Sequence, residues 1–293
     1  MKILAWVVVV AAAFVPVRDQ TQADFSGQVA IGSRSLWLTC TGAGKPTVVL
    51  EAGHGETSET WARVTPLVSN FSRVCSYDRA GLGQSGPRAP DPRTPRAVIT
   101  DLRALLVAAR ETGPFIMAGH SLGGAFVRLY ASEHPADVAG LVLLDAVHER
   151  DFTAVSELLT PDQRAAGAGM RPPSPEGLDV DAVLAELSRT RSTSVFTFPV
   201  VVLARGRPLG NDEMPPSWSP QQRQQREELR RSLQADLAKL SKAGVLITAL
   251  RSGHYIHHDE PALVAGAIRQ LVEGWRRSKT PAASAAVFQK IGG

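Results

Sequence analysis

The chain has 293 residues, of which 44% are hydrophobic and 20% charged, and its formal net charge is +4. This length suits one large α/β domain or two small ones, and the hydrophobic content is enough for a full core. The densest basic run, Arg276, Arg277 and Lys279, indicates the solvated end of a helix. Nucleic-acid binding needs clustered Lys and Arg, so we expect no nucleic-acid partner.

Residues 1–23 have the features of an export signal. Lys2 precedes an apolar stretch from Ile3 to Val15, which is shorter than the ~20 residues of a membrane-spanning helix. Thr21 and Ala23 place small residues at the two positions that determine where a signal is cleaved. We expect a cleaved signal, with an uncleaved anchor as the alternative, and no stable membrane span in the mature chain. The mature protein would then be periplasmic or secreted.

Short apolar runs alternate with helical patterns along the rest of the chain. The later runs are continuously apolar, as is typical of parallel strands buried on both faces. The predicted strands are Gln28–Ile31, Leu36–Cys40, Thr47–Glu51, Arg73–Tyr77, Phe115–Ala118, Leu141–Leu144, Pro199–Ala204 and Val245–Leu250. The predicted helices run from Thr94 to about Arg110 and over Ser121–Ser132, Gln221–Leu240 and Pro261–Arg276. Strands separated by helices predict a mainly parallel α/β sheet.

Two segments interrupt this alternation. About fifty residues between two predicted strands, Arg150–Phe198, contain several prolines, and connections of this length are usually functional or disordered. We predict a lid there, at about residues 150–198, made of about two helices. Residues 279–293 lack periodicity and are expected to form a flexible tail.

A serine between two glycines marks the most informative motif, Gly119-His120-Ser121-Leu122-Gly123. An apolar run precedes the motif and a helical pattern follows it. Gly-x-Ser-x-Gly in this strand–turn–helix setting holds a nucleophilic serine at the top of a sheet. Ser121 is therefore the candidate nucleophile.

A serine needs a base to remove its proton, and His254 is the best candidate among seven histidines. It follows the last predicted strand, in a loop that should lie at the same edge of the sheet as Ser121. His257 and His258 are alternatives, but they are expected to begin the closing helix.

The carboxylate that orients the histidine has two candidates. Asp145 directly follows the strand Leu141–Leu144, where its other possible role is to satisfy backbone donors. Asp212 follows the strand Pro199–Ala204, the more usual place, but only after several intervening residues. We prefer Asp145 and keep Asp212 as the alternative.

Acyl transfer also needs donors for a developing oxyanion. The backbone N–H of Leu122, at the positive end of the helix after Ser121, is one candidate. The backbone N–H of His54, in the flexible turn after the strand Thr47–Glu51, is the other.

Together these motifs resemble the α/β-hydrolase fold superfamily. The residues that carry the resemblance are Val48–Gly53, Tyr77–Ser85, Gly119–Gly124 and Ser252–His254. The resemblance implies an α/β domain over residues 24–278, with an eight-stranded, mostly parallel sheet flanked by helices. It also implies an antiparallel second strand and a short helical lid after the sixth strand. A serine nucleophile, in place of the aspartate of dehalogenases and epoxide hydrolases, implies the serine hydrolase branch.

The chain has two cysteines, Cys40 and Cys75. An even cysteine count in an exported protein permits a disulfide, with two buried thiols as the alternative that spacing alone does not exclude. Two cysteines are too few for an ordinary zinc site. In the family the second and fourth strands are neighbours, so the resemblance implies a Cys40–Cys75 disulfide. We expect no metal and no cofactor.

These observations predict an exported serine hydrolase that cleaves a small-molecule carboxylic ester through an acyl-enzyme. One alternative is a peptidase of the prolyl-aminopeptidase type, in which acids of the lid would bind the substrate amine. Candidates for that role are Glu176, Asp179, Asp181 and Glu186. The other alternative is a catalytically silent binding protein, which the intact pair of Ser121 and His254 argues against.

Overall fold

The structure, a computed structural model, describes residues 23–88, 93–167, 174–191, 195–210 and 214–278. Eight strands in these residues form one sheet. They are β1 (Phe25–Ile31), β2 (Arg34–Thr41), β3 (Val48–Glu51), β4 (Val74–Tyr77), β5 (Phe115–His120), β6 (Val138–Leu144), β7 (Val200–Arg205) and β8 (Gly244–Ala249). Every predicted strand therefore corresponds to an observed one, with small differences at the ends.

The strand order is β1-β2-β4-β3-β5-β6-β7-β8. β2 pairs antiparallel with both β1 and β4, whereas all pairs from β4 to β8 are parallel. The predicted eight-stranded, mostly parallel sheet with an antiparallel second strand is confirmed. The carboxyl ends of β3, β5, β6, β7 and β8 consequently lie at one edge of the sheet, where open α/β sheets place their sites.

Helices pack on both faces of this sheet. They are α1 (Thr65–Ser69), α2 (Pro95–Ala108), α3 (Leu122–Glu133), α4 (Asp151–Glu157), α5 (Pro161–Gly167), α6 (Val180–Arg191), α7 (Pro220–Ala238), α8 (Ile256–Asp259) and α9 (Pro261–Ser278). Alternate strand residues enter two separate hydrophobic clusters: Val49 packs with α2 and α3, while Val48 and Leu50 pack with α1 and α9. Burial on both faces explains why the central strands read as continuous apolar runs.

The segment between β6 and β7 carries the lid, and its described part contains three helices, α4, α5 and α6, where the sequence predicted about two. Pro161 is the reason for the difference. It stands at the start of α5, where its fixed φ suits the first helical turn. Thr160 and Gln163 exchange hydrogen bonds across that turn, 3.2 Å from Gln163 N to Thr160 Oγ1 and 2.9 Å from Thr160 N to Gln163 Oε1.

Cys40 and Cys75 lie directly opposite each other on β2 and β4 and are joined by a disulfide. Both are 1% exposed. Among the residues described, no helix combines the length and the apolar character that crossing a membrane requires. The predicted signal up to residue 22 and the predicted tail from 279 to 293 fall outside the described ranges.

Candidate active site

Ser121 occupies the turn between β5 and α3 with a φ of 52°. Non-glycine residues in this left-handed region store strain and cluster at functional sites. Three backbone hydrogen bonds hold the turn: Ser121 N donates to Leu144 O at 3.0 Å, and Ser121 O accepts from the N–H groups of Gly124 and Val147. The end of β6, the segment that follows it and the first turn of α3 thus hold the backbone of the serine.

The glycines of the motif are required by close backbone approach. A Cβ on Gly119 would lie 2.5 Å from Gly123 O. A Cβ on Gly123 would overlap the carbonyl oxygens of Ala52 and Glu51. The beginning of α3 therefore lies directly against the loop after β3, which is the loop predicted to supply the second oxyanion donor.

His54 and Leu122, the two predicted oxyanion donors, line the same cavity as Ser121. Leu122 is the first residue of α3, so its N–H has no partner within the helix. Both residues therefore border the same cavity as the candidate nucleophile, and their role as oxyanion donors stays a prediction.

Asp145 and His254 meet at the carboxyl edge of the sheet, with Asp145 Oδ2 2.6 Å from His254 Nδ1. Asp145 follows β6, is fully buried and has a φ of 40°. Its backbone N–H donates to Leu203 O on the neighbouring strand β7 at 2.8 Å. Asp212, the alternative acid, lies outside the described residues.

Two arginines surround Asp145, and sequence reasoning missed both. Arg205, the last residue of β7, places Nη1 3.3 Å from Asp145 Oδ2, and Arg230 of α7 places Nε 3.2 Å from Asp145 Oδ1. Burial alone would raise the pKa of Asp145. Arg230, the hydrogen bond from His254, and Arg205 outweigh burial and hold that pKa well below its ordinary value. Asp145 is therefore ionised at neutral pH.

His254 is held from a second side through its backbone. Its carbonyl oxygen lies 3.1 Å from His120 Nε2, and the two rings are 4.6 Å apart between centroids. Because His120 immediately precedes Ser121, this contact connects the loop of the candidate base to the turn of the candidate nucleophile. His257 and His258 lie in α8, a short helix separate from the closing helix α9, and both place Nε2 within 3.1 Å of Thr60 Oγ1.

The acid limb of the pH profile follows from the surroundings of His254. Burial lowers the pKa of this ring below 6.5, although the hydrogen bond to Asp145 opposes the effect. As the candidate base, His254 can accept a proton from Ser121 only when its ring is neutral, so kcat/KM should rise with pH through the pKa of His254. We expect the midpoint of that rise below pH 6.5, measured on the free enzyme at subsaturating substrate. A midpoint clearly above that value would contradict this environment for the base.

Arg79 connects the loop after β3 to the lid through a buried ion network. Its guanidinium contacts Glu51 Oε1 at 2.7 Å and Glu176 Oε2 at 2.6 Å, and it also donates to the carbonyls of Ala52 and Gly53. The side chains of Arg79, Glu51 and Glu176 are at most 1% exposed. Burial alone would raise the pKa of Glu176, but the charge of Arg79 lowers it.

Glu176 also accepts the backbone N–H of Gly55 at 2.9 Å. This lid residue therefore supports the loop that presents His54 directly at Gly55 and, through Arg79, at Ala52 and Gly53. The sequence had suggested Glu176 as a binding group for a substrate amine, but its burial against Arg79 leaves it no role in contacting substrate.

A cavity of about 460 Å³ opens at Ser121 between the sheet edge and the lid. Its apolar lining comes from the start of α3, the segment after β6 and the lid, and comprises Leu122, Val147, Phe152, Leu178 and Val180. Asp179 and Asp181 add acidic groups to the lid side. Glu186, the remaining acid suggested for amine binding, instead pairs with Arg96 and Arg189 outside this cavity.

Comparisons with known proteins agree with this architecture. A family model described as serine aminopeptidase, S33, matches residues 42–169. The uncharacterized protein YqjL of Bacillus subtilis (strain 168) is 31% identical over 235 residues, which cover 78% of this chain and 83% of that protein. An AB hydrolase superfamily protein of Gibberella zeae is 23% identical over 282 residues, covering 78% of this chain and 87% of that protein.

Solved structures share the fold at low sequence identity. A haloalkane dehalogenase loop variant from Bradyrhizobium elkanii gives a TM-score of 0.62 at 17% identity, covering 88% of this chain and 100% of that one. A thermophilic esterase from Thermogutta terrifontis gives 0.60 at 19% identity, covering 87% and 98%. The chain belongs to the α/β-hydrolase superfamily, and it is a hydrolase of that fold.

Proposed function

We propose that the protein is a serine hydrolase that cleaves a carboxylic ester through an acyl-enzyme. The observation that carries the proposal is the 2.6 Å contact between Asp145 and His254 at the edge of the sheet where the strained turn presents Ser121. An ionised, buried carboxylate on Nδ1 holds the ring so that Nε2 is the nitrogen available to a nucleophile.

In the proposed reaction, Ser121 Oγ attacks the ester carbonyl while His254 Nε2 takes its proton. The backbone N–H groups of His54 and Leu122 stabilise the negative charge that develops on the carbonyl oxygen. His254 returns the proton to the leaving alcohol, which departs and leaves an acyl group on Ser121. His254 then removes a proton from water, the hydroxide attacks the acyl carbonyl, and the proton returns to Ser121 as the acid is released.

The lining of the cavity supports an apolar acyl or alcohol group of moderate size. Hydrophobic and aromatic side chains surround most of the space next to Ser121, as is usual for small-molecule sites.

A peptidase acting on a free N-terminal amine is the second candidate. Two observations favour it: Asp179 and Asp181 line the cavity, and the matching family model is described as serine aminopeptidase. Asp179 is partly committed, since its Oδ1 accepts the N–H of Ala182 at 3.1 Å. The peptidase proposal depends on these two acids as binding groups for the substrate amine. The ester proposal depends on the contact between Asp145 and His254, on Ser121 and on the apolar lining, so we rank the ester first.

A fluorophosphonate probe tests the nucleophile. We expect one label per chain on Ser121 and none in Ser121→Ala. Ser174→Ala is the matched control, because Ser174 lines the same cavity and its loss should leave labelling intact. A folded protein that takes no label would contradict the serine hydrolase proposal, and persistent labelling of Ser121→Ala would contradict the choice of nucleophile.

A substrate panel then separates the two candidates. We expect turnover of p-nitrophenyl esters with a preference among acyl lengths, and little turnover of proline p-nitroanilide. Asp179→Asn with Asp181→Asn should leave ester hydrolysis largely unchanged. Faster cleavage of the anilide, lost on replacing these two acids, would favour the peptidase.

We also propose that the protein is exported. The apolar segment near the N-terminus and the Cys40–Cys75 bridge support this location, because disulfides persist in oxidising compartments. Mass spectrometry of protein from the periplasm or medium should find a chain that begins near residue 24. An intact chain confined to the reducing cytosol would contradict export.

A further inference from the structure

Glu56, His120 and His257 bring their side chains together beside the catalytic turn. One potential ligand atom from each residue lies within 4.8 Å of the other two. His120 and His257 are at most 1% exposed, and 18% of the Glu56 side chain remains exposed. The triad uses none of the three, so the cluster needs a separate explanation.

His257 has one nitrogen with a partner and one without. Its Nε2 lies 2.7 Å from Thr60 Oγ1, whereas its buried Nδ1 has no hydrogen-bond partner among the described residues. Buried polar atoms in folded proteins are nearly always paired, and leaving one unpaired costs free energy. In the tautomer whose N–H is on Nε2 and donates to Thr60, Nδ1 carries a lone pair, and a metal ion bound to that lone pair would remove this cost.

His120 faces an acceptor at each nitrogen. Its Nε2 lies 3.1 Å from His254 O and its Nδ1 lies 3.1 Å from Glu56 Oε2. A neutral imidazole has a single N–H, so a neutral ring satisfies only one of these contacts. When the proton is on Nε2 and donates to His254, the lone pair of Nδ1 points at the carboxylate of Glu56. A cation between Nδ1 and Glu56 would bind the lone pair and the carboxylate together, while the N–H on Nε2 donates to His254 O.

Gly53 leaves space next to this pair of atoms. A Cβ at this position would lie 2.7 Å from Glu56 Oε2 and 2.8 Å from His120 Nδ1. The backbone N–H of Gly53 donates to Glu56 Oε2 at 2.8 Å, which orients the carboxylate. The partly exposed side of Glu56 gives an ion a path from solvent.

We propose that Glu56, His120 and His257 bind one zinc ion, with water as the fourth ligand. Two histidines and one carboxylate are an established zinc ligand set. Metal-bound histidines almost always donate their second N–H to an oxygen, and here the second nitrogens face His254 O and Thr60 Oγ1. Zn–N distances of about 2.0–2.1 Å place tetrahedral ligands about 3.3 Å apart, which small rotations of these side chains reach.

From the sequence we expected no metal, and this site lies beyond the pattern considered there. Counting cysteines excludes only cysteine-rich zinc sites, and the three ligands are separated by more than sixty residues in one case and more than a hundred in the other. The ion would join the loop that presents His54 to the loop that presents His254. It would thus fix the distance between the oxyanion donors and the base without contacting substrate.

Zinc binding is tested directly on tag-free protein, freed of metal by a chelator and titrated with Zn²⁺ in competition with a chromogenic indicator. We expect one saturable site per chain. His257→Gln should retain the contact to Thr60 but lose the Nδ1 ligand, and Glu56→Gln should lose the carboxylate. Both should weaken zinc binding by more than the roughly 10–100-fold that loss of an outer partner costs. Thr60→Val should fall within that smaller range.

His134→Gln is the matched control, since it removes a histidine distant from the cluster at the end of α3. Its affinity for zinc should equal that of the original protein. Circular dichroism and fluorophosphonate labelling verify that each variant is folded, and Glu56→Gln carries the test if His257→Gln does not fold. No saturable zinc binding, or binding as tight in both ligand variants as in the control, would overturn the proposal.

Discussion

Replacing Asp145 by Asn should lower kcat by on the order of 10⁴, the loss seen when the orienting carboxylate of a serine triad becomes an amide. The amide keeps the shape of the side chain and tolerates the positive φ at this position. It removes the negative charge that stabilises the His254 imidazolium, and its NH₂ group favours the wrong tautomer of the ring.

The measurement is kcat for the best p-nitrophenyl ester of the panel, with folding verified by circular dichroism. Asp212→Asn is the matched control, because it changes the alternative acid in the same way and should leave kcat nearly unchanged. The opposite pattern, a large loss in Asp212→Asn and a small one in Asp145→Asn, would reassign the acid to position 212.

Replacing Arg79 by Met should destabilise the protein by about 3–5 kcal/mol, the cost of removing one partner from a buried ion network. Arg79 is the only cation in direct contact with both Glu51 and Glu176 among the residues described. Methionine fills similar space but leaves Glu51 without a counter-charge and leaves Glu176 with only the more distant Arg93, whose Nη1 lies 4.0 Å from Glu176 Oε2. It also releases the carbonyls of Ala52 and Gly53, so the loop that presents His54 should lose its position.

Urea denaturation gives the free energy of unfolding for this comparison. Arg96→Met is the control: its side chain is 68% exposed and pairs with Glu133 at 3.0 Å on the surface. Exposed pairs contribute about 1 kcal/mol or less, so this variant should unfold at nearly the original urea concentration. Equal, small losses in both variants would show that the Arg79 network is not a stabilising element.

Much of the fold could be predicted from the sequence because its signals are local. Buried parallel strands produce continuous apolar runs, and the pair Thr94-Pro95 is typical of the first residues of a helix. The structure has Thr94 as the cap, with its side chain accepting from Ala97 N. The number of lid helices was less predictable, because a proline can either follow the end of one helix or occupy the first turn of the next.

The residues of the candidate site also differ in how well the sequence predicts them. Ser121 is recognisable because the motif needs glycines where backbones nearly touch, and His254 because it follows the last strand. Asp145 remained one of two candidates, since a carboxylate after a strand can serve either chemistry or the backbone. The contacts of Arg205 and Arg230 with Asp145 come from separate strands and helices, and no spacing in the sequence encodes them.

Burial of Glu176 has a consequence for attempts to alter specificity by exchanging lids between related hydrolases. The segment that shapes the cavity also carries the counter-ion of Arg79 and the acceptor for Gly55. A chimera with a foreign lid would receive new cavity walls but lose a support of the oxyanion loop. Grafts that retain a glutamate at position 176 should keep turnover, whereas those without it should lose turnover even for substrates that fit.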